Sequence, residues 1–213
     1  MSLTPDYQRP WPAYFDAVAS QPPRDTLVRA LANMQHDFAG STSSFVAIDL
    51  ACGEGRDTRA MLASPLSPHV FATDNSPDAI TRLRATLPAA NTARVTPLQL
   101  SLEATATSPL LPTAAHLINA SFALPFCHED HFPTLWNWIV GTLSPGGRFA
   151  GQIFGDRDEW AAVNPRRHFT RADTLSLLAP FDLEHFDEVE KDGSDALMKT
   201  KHHHLFHIVA RKR

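Results

Sequence analysis

The chain has 213 residues, enough for one domain with a full core, and its 43% hydrophobic and 20% charged residues are ordinary for a soluble globular protein. A net charge of −4 gives no general attraction to nucleic acid or to an anionic membrane surface. Two cysteines make no disulfide framework, no stretch approaches the ~20 apolar residues that span a bilayer, and Met1 to Asp6 lacks the regions of a signal peptide. A reducing, cytoplasmic setting is therefore the default expectation.

Residues 1–23 are rich in proline and aromatics, with Tyr7, Trp11, Tyr14 and Phe15 among them, and are too apolar for a disordered tail. They are expected to lie against the domain, with residues 1–40 forming a lid and helix extension of a single domain, 1–213. From Arg24 to Phe38, Leu27, Val28, Leu31, Met34 and Phe38 recur at helical spacing, and Gly40 suits a C-cap. After a loop at Ser41 to Ser44, Phe45 to Leu50 reads as a strand. It ends in Ala51-Cys52-Gly53-Glu54-Gly55, and a helix follows over Arg56 to Ala63. Val70 to Thr73 is a second strand, and Ser76-Pro77 starts a helix with a serine cap and proline at its first position.

Val95 to Leu100 is a third strand weakened by Pro97, and residues 101–114 give only a poor helix. His116 to Phe122 is a fourth strand. Pro133 to Leu143 is a helix with Leu135, Trp138, Ile139 and Thr142 on one face. Ser144 to Gly147 is a sharp turn before a fifth strand, Arg148 to Phe154. Thr170 to Asp173 resembles a capping box opening a helix to about Leu178. Phe181 to Val189 and His203 to Val209 read as two strands flanking a turn that includes Asp192-Gly193. Five strands alternating with helices and then a closing pair predict a doubly wound sheet in which one of the last strands runs antiparallel.

The turn after the first strand is the most informative segment. Strand, glycine turn and helix, with the acid Asp74 about twenty residues on, describe a nucleotide-type cofactor site at the carboxyl edge of a parallel sheet. Glycine lets backbone approach a ligand and adopt unusual φ/ψ. Asp74 suits two ribose hydroxyls, since a carboxylate accepts a hydrogen bond from each. A dinucleotide turn carries a third small residue where this chain has Thr58, and Asp49 would add negative charge beside a pyrophosphate. Both count against an NAD-binding oxidoreductase and favour S-adenosyl-L-methionine, whose amino group and sulfonium tolerate an acid.

The run Asp49-Leu-Ala-Cys-Gly-Glu-Gly55 closely resembles motif I of the class I S-adenosylmethionine-dependent methyltransferases. Ala51 replaces that motif's first glycine, so its φ is expected below zero. The resemblance implies a Rossmann-like, doubly wound, seven-stranded and mostly parallel sheet, with an antiparallel last strand and helices on both faces. It implies cofactor contacts at Asp49, Ala51, Cys52, Gly53, Gly55, Asp74 and Asn75. At the third strand it implies an adenine contact through Ser101 with Leu102, or through Glu103. Asn119, Ala120 and Ser121 fall at motif IV, beside the methyl group. Leu143 to Gly147 matches the family's turn before the fifth strand.

The small-molecule branch that includes tellurite and thiopurine methyltransferases is the most similar, on Cys52 to Asp57, His168 to Thr170 and Leu205 to Lys212. Its His-Arg pair before the last strand has no clear counterpart here. That resemblance implies a small-molecule methyl acceptor, with no nucleic acid, no membrane, and a monomer or homodimer. Acceptor contacts are positional candidates: Phe122, His128, Trp160, His168, Tyr7, Trp11 and Tyr14. Methyl transfer needs alignment above all, worth on the order of 7–11 kcal/mol, and no catalytic base stands out. Methyltransferases of RNA or protein, and a non-catalytic protein that binds the cofactor, are the competing readings. Along a strand, His203 and His207 face one side and His202 and His204 the other, which supplies no metal site without outside partners.

Overall fold

A computed structural model describes residues 10–38, 44–162 and 167–213. Tyr7, Gly40 and the loop at residues 41–43 lie outside them. The elements run α1 (Trp11–Val18), α2 (Asp25–Asp37), β1 (Val46–Leu50), α3 (Arg56–Ala63), β2 (His69–Asp74) and α4 (Pro77–Thr86). They continue with β3 (Val95–Gln99), α5 (Leu102–Thr105), β4 (Ala115–Ala120), α6 (Phe132–Thr142), β5 (Leu143–Phe154), α7 (Arg171–Leu177), β6 (Phe181–Ser194) and β7 (Thr200–Lys212).

All seven strands form one sheet in the order β3-β2-β1-β4-β5-β7-β6. The first five pair in parallel, and β7 runs antiparallel to both β5 and β6. The fold is thus the expected doubly wound one, with the antiparallel strand inserted between β5 and β6. The order reverses between β1 and β4, which opens a crevice at the carboxyl ends of these strands, where such sheets bind ligands.

Parallel strands covered on both faces must bury both of their side-chain sets. Ala47, Val70, Leu117 and Val209 pack with Leu27, Met34, Met61 and Leu83 on the face of α2, α3 and α4. Ile48, Leu50, Ile118, Phe149 and Phe206 pack with Trp136, Ile139 and Phe181 on the face of α6. The caps fall where sequence put them: the side chains of Ser76 and Thr170 accept the N–H groups of Ala79 and Asp173.

Four local expectations are corrected. Ala51 has φ of 51° rather than a negative value. Cys52 N–H bonds the Thr73 carbonyl of the adjoining strand at 2.8 Å, which helps hold Ala51 in a conformation costing about 1–2 kcal/mol. Asp192 and Gly193 lie inside β6, paired with His202 and Lys201, because the hairpin extends to Ser194 opposite Thr200. Trp136, not Trp138, is the buried tryptophan of α6, its indole N–H held by the Leu177 carbonyl at 3.2 Å. Ser144 to Gly147 is an irregularity within β5, where the register against β4 shifts, rather than a turn ahead of it.

Candidate active site

The chain leaves β1 through Ala51, Gly53 (φ 56°) and Gly55 (φ 90°), all left-handed. Gly55 is the N-cap of α3, and its N–H closes the turn on the Cys52 carbonyl at 3.0 Å. A side chain at Gly55 would meet Leu83 at 2.3 Å, so the turn packs against α4 with no room for a Cβ. Asp74, at the end of β2, fixes the turn from the side. One carboxylate oxygen accepts Gly53 N–H at 2.9 Å, and the other accepts Ser76 N–H at 2.9 Å. Burial raises the Asp74 carboxyl, and the two amide donors oppose that shift.

Beneath the turn lies a buried acid pair. Asp49 and Asn119 are register partners on β1 and β4, so their side chains meet. Asn119 donates its amide to Asp49 at 2.8 Å and to Asp57 at 3.3 Å, while Thr58 donates its hydroxyl to Asp49 at 2.6 Å. Burial, and then the neighbouring Asp57 carboxylate, push Asp49 up to about 7. Thr58 therefore has a positive role in this turn: it supplies a donor to the buried acid.

A cleft of about 1040 Å³ opens over the turn. Ala51, Gly53, Asp74, Asn75, Leu102 and Ser121 line it, as does Glu103, whose carboxylate also accepts His128 N–H at 3.1 Å. Asp49, Cys52, Gly55, Ser101, Asn119 and Ala120 do not line it. The Ser101 hydroxyl caps α5 by accepting Ala104 N–H. Burial holds the Cys52 thiol well above its ordinary value, so it stays protonated.

Of the acceptor candidates, Trp11, Tyr14, Phe122 and Trp160 line the cleft, whereas His128 and His168 do not. Three contributions escaped sequence reasoning. Arg24, just before α2, lines the cleft with its guanidinium 4.4 Å above the Phe122 ring. Its backbone N–H bonds Asp57 at 3.1 Å, its side chain bonds Tyr14, and its Nε has no partner. Phe126 and Phe154 add two more rings. The far wall is the β6–β7 hairpin, through Lys201, His203, Leu205 and His207. Strand alternation was the available signal: His203 and His207 do share a face, while His204 is buried on the other against Glu188 at 3.0 Å. No cluster of metal-ligating side chains occurs among the described residues.

The glycine cradle suits a cofactor that must approach backbone. Asp74 has one lone-pair position per oxygen beyond its amide bonds, which suits a diol. The cleft lies at the top of the usual size range for a single ligand, leaving space for a second small molecule.

Residues 47–147 match the family described as a methyltransferase domain. No curated protein matches the sequence. Among solved structures, TehB from Haemophilus influenzae superposes with a TM-score of 0.69 at 14% identity, over 94% of this chain and 66% of that one. This chain thus spans just under two thirds of TehB. The 1,6-didemethyltoxoflavin-N1-methyltransferase of Burkholderia thailandensis, solved with its substrate and S-adenosylhomocysteine, gives a TM-score of 0.61 at 22% identity, covering 94% of this chain and 84% of that one. The magnesium protoporphyrin IX methyltransferase of Synechocystis PCC 6803, with bound S-adenosylmethionine, gives 0.61 at 12% identity over 98% and 94% of the two chains.

Proposed function

We propose that this chain is a class I S-adenosylmethionine-dependent methyltransferase and that it methylates a small molecule held at the hairpin end of its cleft. The carrying observation is one continuous cleft with two chemically different ends. One end is a glycine turn braced by Asp74; the other is walled by aromatic rings and histidines. The net charge of −4 favours a small acceptor over RNA.

In this reading Asp74 holds the ribose hydroxyls, Gly53 and Ala51 present backbone to the amino-acid part, and Leu100, Leu102 and Glu103 bound the adenine. The previously unassigned Arg24 takes the carboxylate of the amino acid. It lies beside the turn, tied to α3 through Asp57, and one of its donors is unused. Asn119 and Thr58 orient Asp49 below the turn without reaching the cleft. S-adenosylmethionine, when bound, would supply an electrophilic methyl group on its sulfonium sulfur. The protein's part is alignment and exclusion of water.

Helix α1 serves as the lid. Phe15 lies where a Cβ on Gly53 would contact it at 3.4 Å, and Asp16 ties α1 to Arg82 of α4 at 2.5 Å. Titration calorimetry tests the assignment: S-adenosylhomocysteine should bind at micromolar levels and NAD should not. NAD binding without S-adenosylhomocysteine binding would reverse the reading.

A further inference from the structure

Six rings line the cleft in unbroken succession: Phe15, Trp11, Phe126, Trp160, Phe154 and Phe122. Each centroid lies within 6.1 Å of the next, at 6.1, 5.3, 6.1, 5.7 and 6.1 Å in turn. The arc starts over the glycine turn and ends beside His207, whose ring is 6.2 Å from Phe122. These rings come from α1, the segment after β4, the end of β5 and the loop beyond it. Packing of a core does not require so many separate segments to turn aromatic side chains toward one open cleft.

The arc is held rigidly at its far end. Trp160 N–H of the backbone donates to Asp158 at 3.0 Å, and Asp158 pairs with the buried Lys201 of β7 at 2.5 Å. Lys201 in turn sits 3.7 Å over the Trp160 ring. The loop after β5 is thereby tied to the hairpin.

The polar group at the end of the arc has a defined hydrogen-bonding sense. Gln152 accepts Phe122 N–H through its carbonyl at 2.9 Å, which fixes which end of its amide is NH₂. That NH₂ donates to Thr26 at 3.1 Å and to Nδ1 of its cross-strand partner His207 at 3.4 Å. Nδ1 is an acceptor, so neutral His207 carries its proton on Nε2 and offers a donor. Burial lowers His207 and keeps it neutral.

We propose that the acceptor is a planar aromatic or heteroaromatic molecule, packed against this arc and oriented by a hydrogen bond from His207 Nε2–H to an oxygen or nitrogen on its rim. Aromatic pairs favour stacked or edge-to-face contacts at these spacings, so the arc selects flat ligands over compact oxyanions and aliphatic thiols. The proposal rests on the methyltransferase reading above.

The test uses labelled S-adenosylmethionine with lumazine, xanthine and quinolinol on one side and tellurite, selenite and mercaptoacetate on the other. Label is expected in at least one flat compound, and that compound should saturably quench tryptophan fluorescence of the protein loaded with S-adenosylhomocysteine. Trp160→Leu and His207→Ala should each raise its KM about tenfold. Their affinity for S-adenosylhomocysteine should stay within threefold of wild type, which shows that the fold and cofactor end survive; Trp160→Phe should recover most of the loss. Label entering only the oxyanions or the thiol overturns the aromatic acceptor and leaves the methyltransferase reading intact. Absence of saturable quenching by all three flat compounds also overturns it. Failure to bind S-adenosylhomocysteine instead overturns the parent reading.

Discussion

The two ends of the cleft are built on opposite plans. The end proposed for the cofactor is built around backbone: a left-handed turn, two amide bonds to Asp74, and a buried acid pair that does not line the cleft. The turn itself lies in one short stretch of chain, and the two neighbouring strands, β2 and β4, supply Asp74 and Asn119. The end proposed for the acceptor is made of side chains from α1, the loops after β4 and β5, and the hairpin. Backbone geometry can be shared by proteins of little sequence identity, because many sequences satisfy it. A wall of side chains is particular to each chain, which is why the proposal puts acceptor specificity there.

That contrast can be broken by substitution. Gly55→Ala should have the largest effect, because it combines left-handed strain with the clash against Leu83. A loss of about 2–4 kcal/mol of stability is expected from strain and overpacking together, read by urea denaturation. A wild-type midpoint would mean that the turn is not the rigid element described. Asp74→Ala should weaken S-adenosylhomocysteine by about 1.5–3 kcal/mol, the scale of hydrogen bonds to a charged group. Unchanged affinity by calorimetry would put the ribose elsewhere.

Arg24→Ala should weaken S-adenosylhomocysteine about tenfold, the low end of the same scale. It should leave methylthioadenosine, which lacks the carboxylate, unaffected; equal losses for both would assign Arg24 a structural part only. The last effect is a slope. Asp49 is raised in the folded state, so folding binds an extra proton between the ordinary value near 4 and about 7. Stability should therefore fall as pH rises through that window, by at most about 1.4 kcal/mol per pH unit, and level off above it. Asp49→Asn should flatten this slope whatever its effect on the baseline. A slope that persists in the variant would move the titration to another group.

Legibility followed the same division. The glycine turn, the Ser76 and Thr170 caps and the α3 boundaries are local, and local rules found them. The positive φ of Ala51 is not legible in the segment itself, because the bond from Cys52 to β2 helps set it. Sequence position puts Asn119 at motif IV, whereas register carries its side chain under the turn to Asp49 and Asp57. Arg24 gave no signal, since a lone arginine before a helix usually faces water. His203 and His207 were correctly put on one face, but nothing in the strand says that the face closes a cleft.

Sequence alone determined the alternation of strands and helices, the cofactor turn and its two acids, because each depends on residues close in the chain. Tertiary structure decided the buried acid pair, the Gln152–His207 tautomer and the six-ring arc. Those depend on which strands become neighbours and on where loops from distant segments converge, and pairing register rather than local propensity sets both.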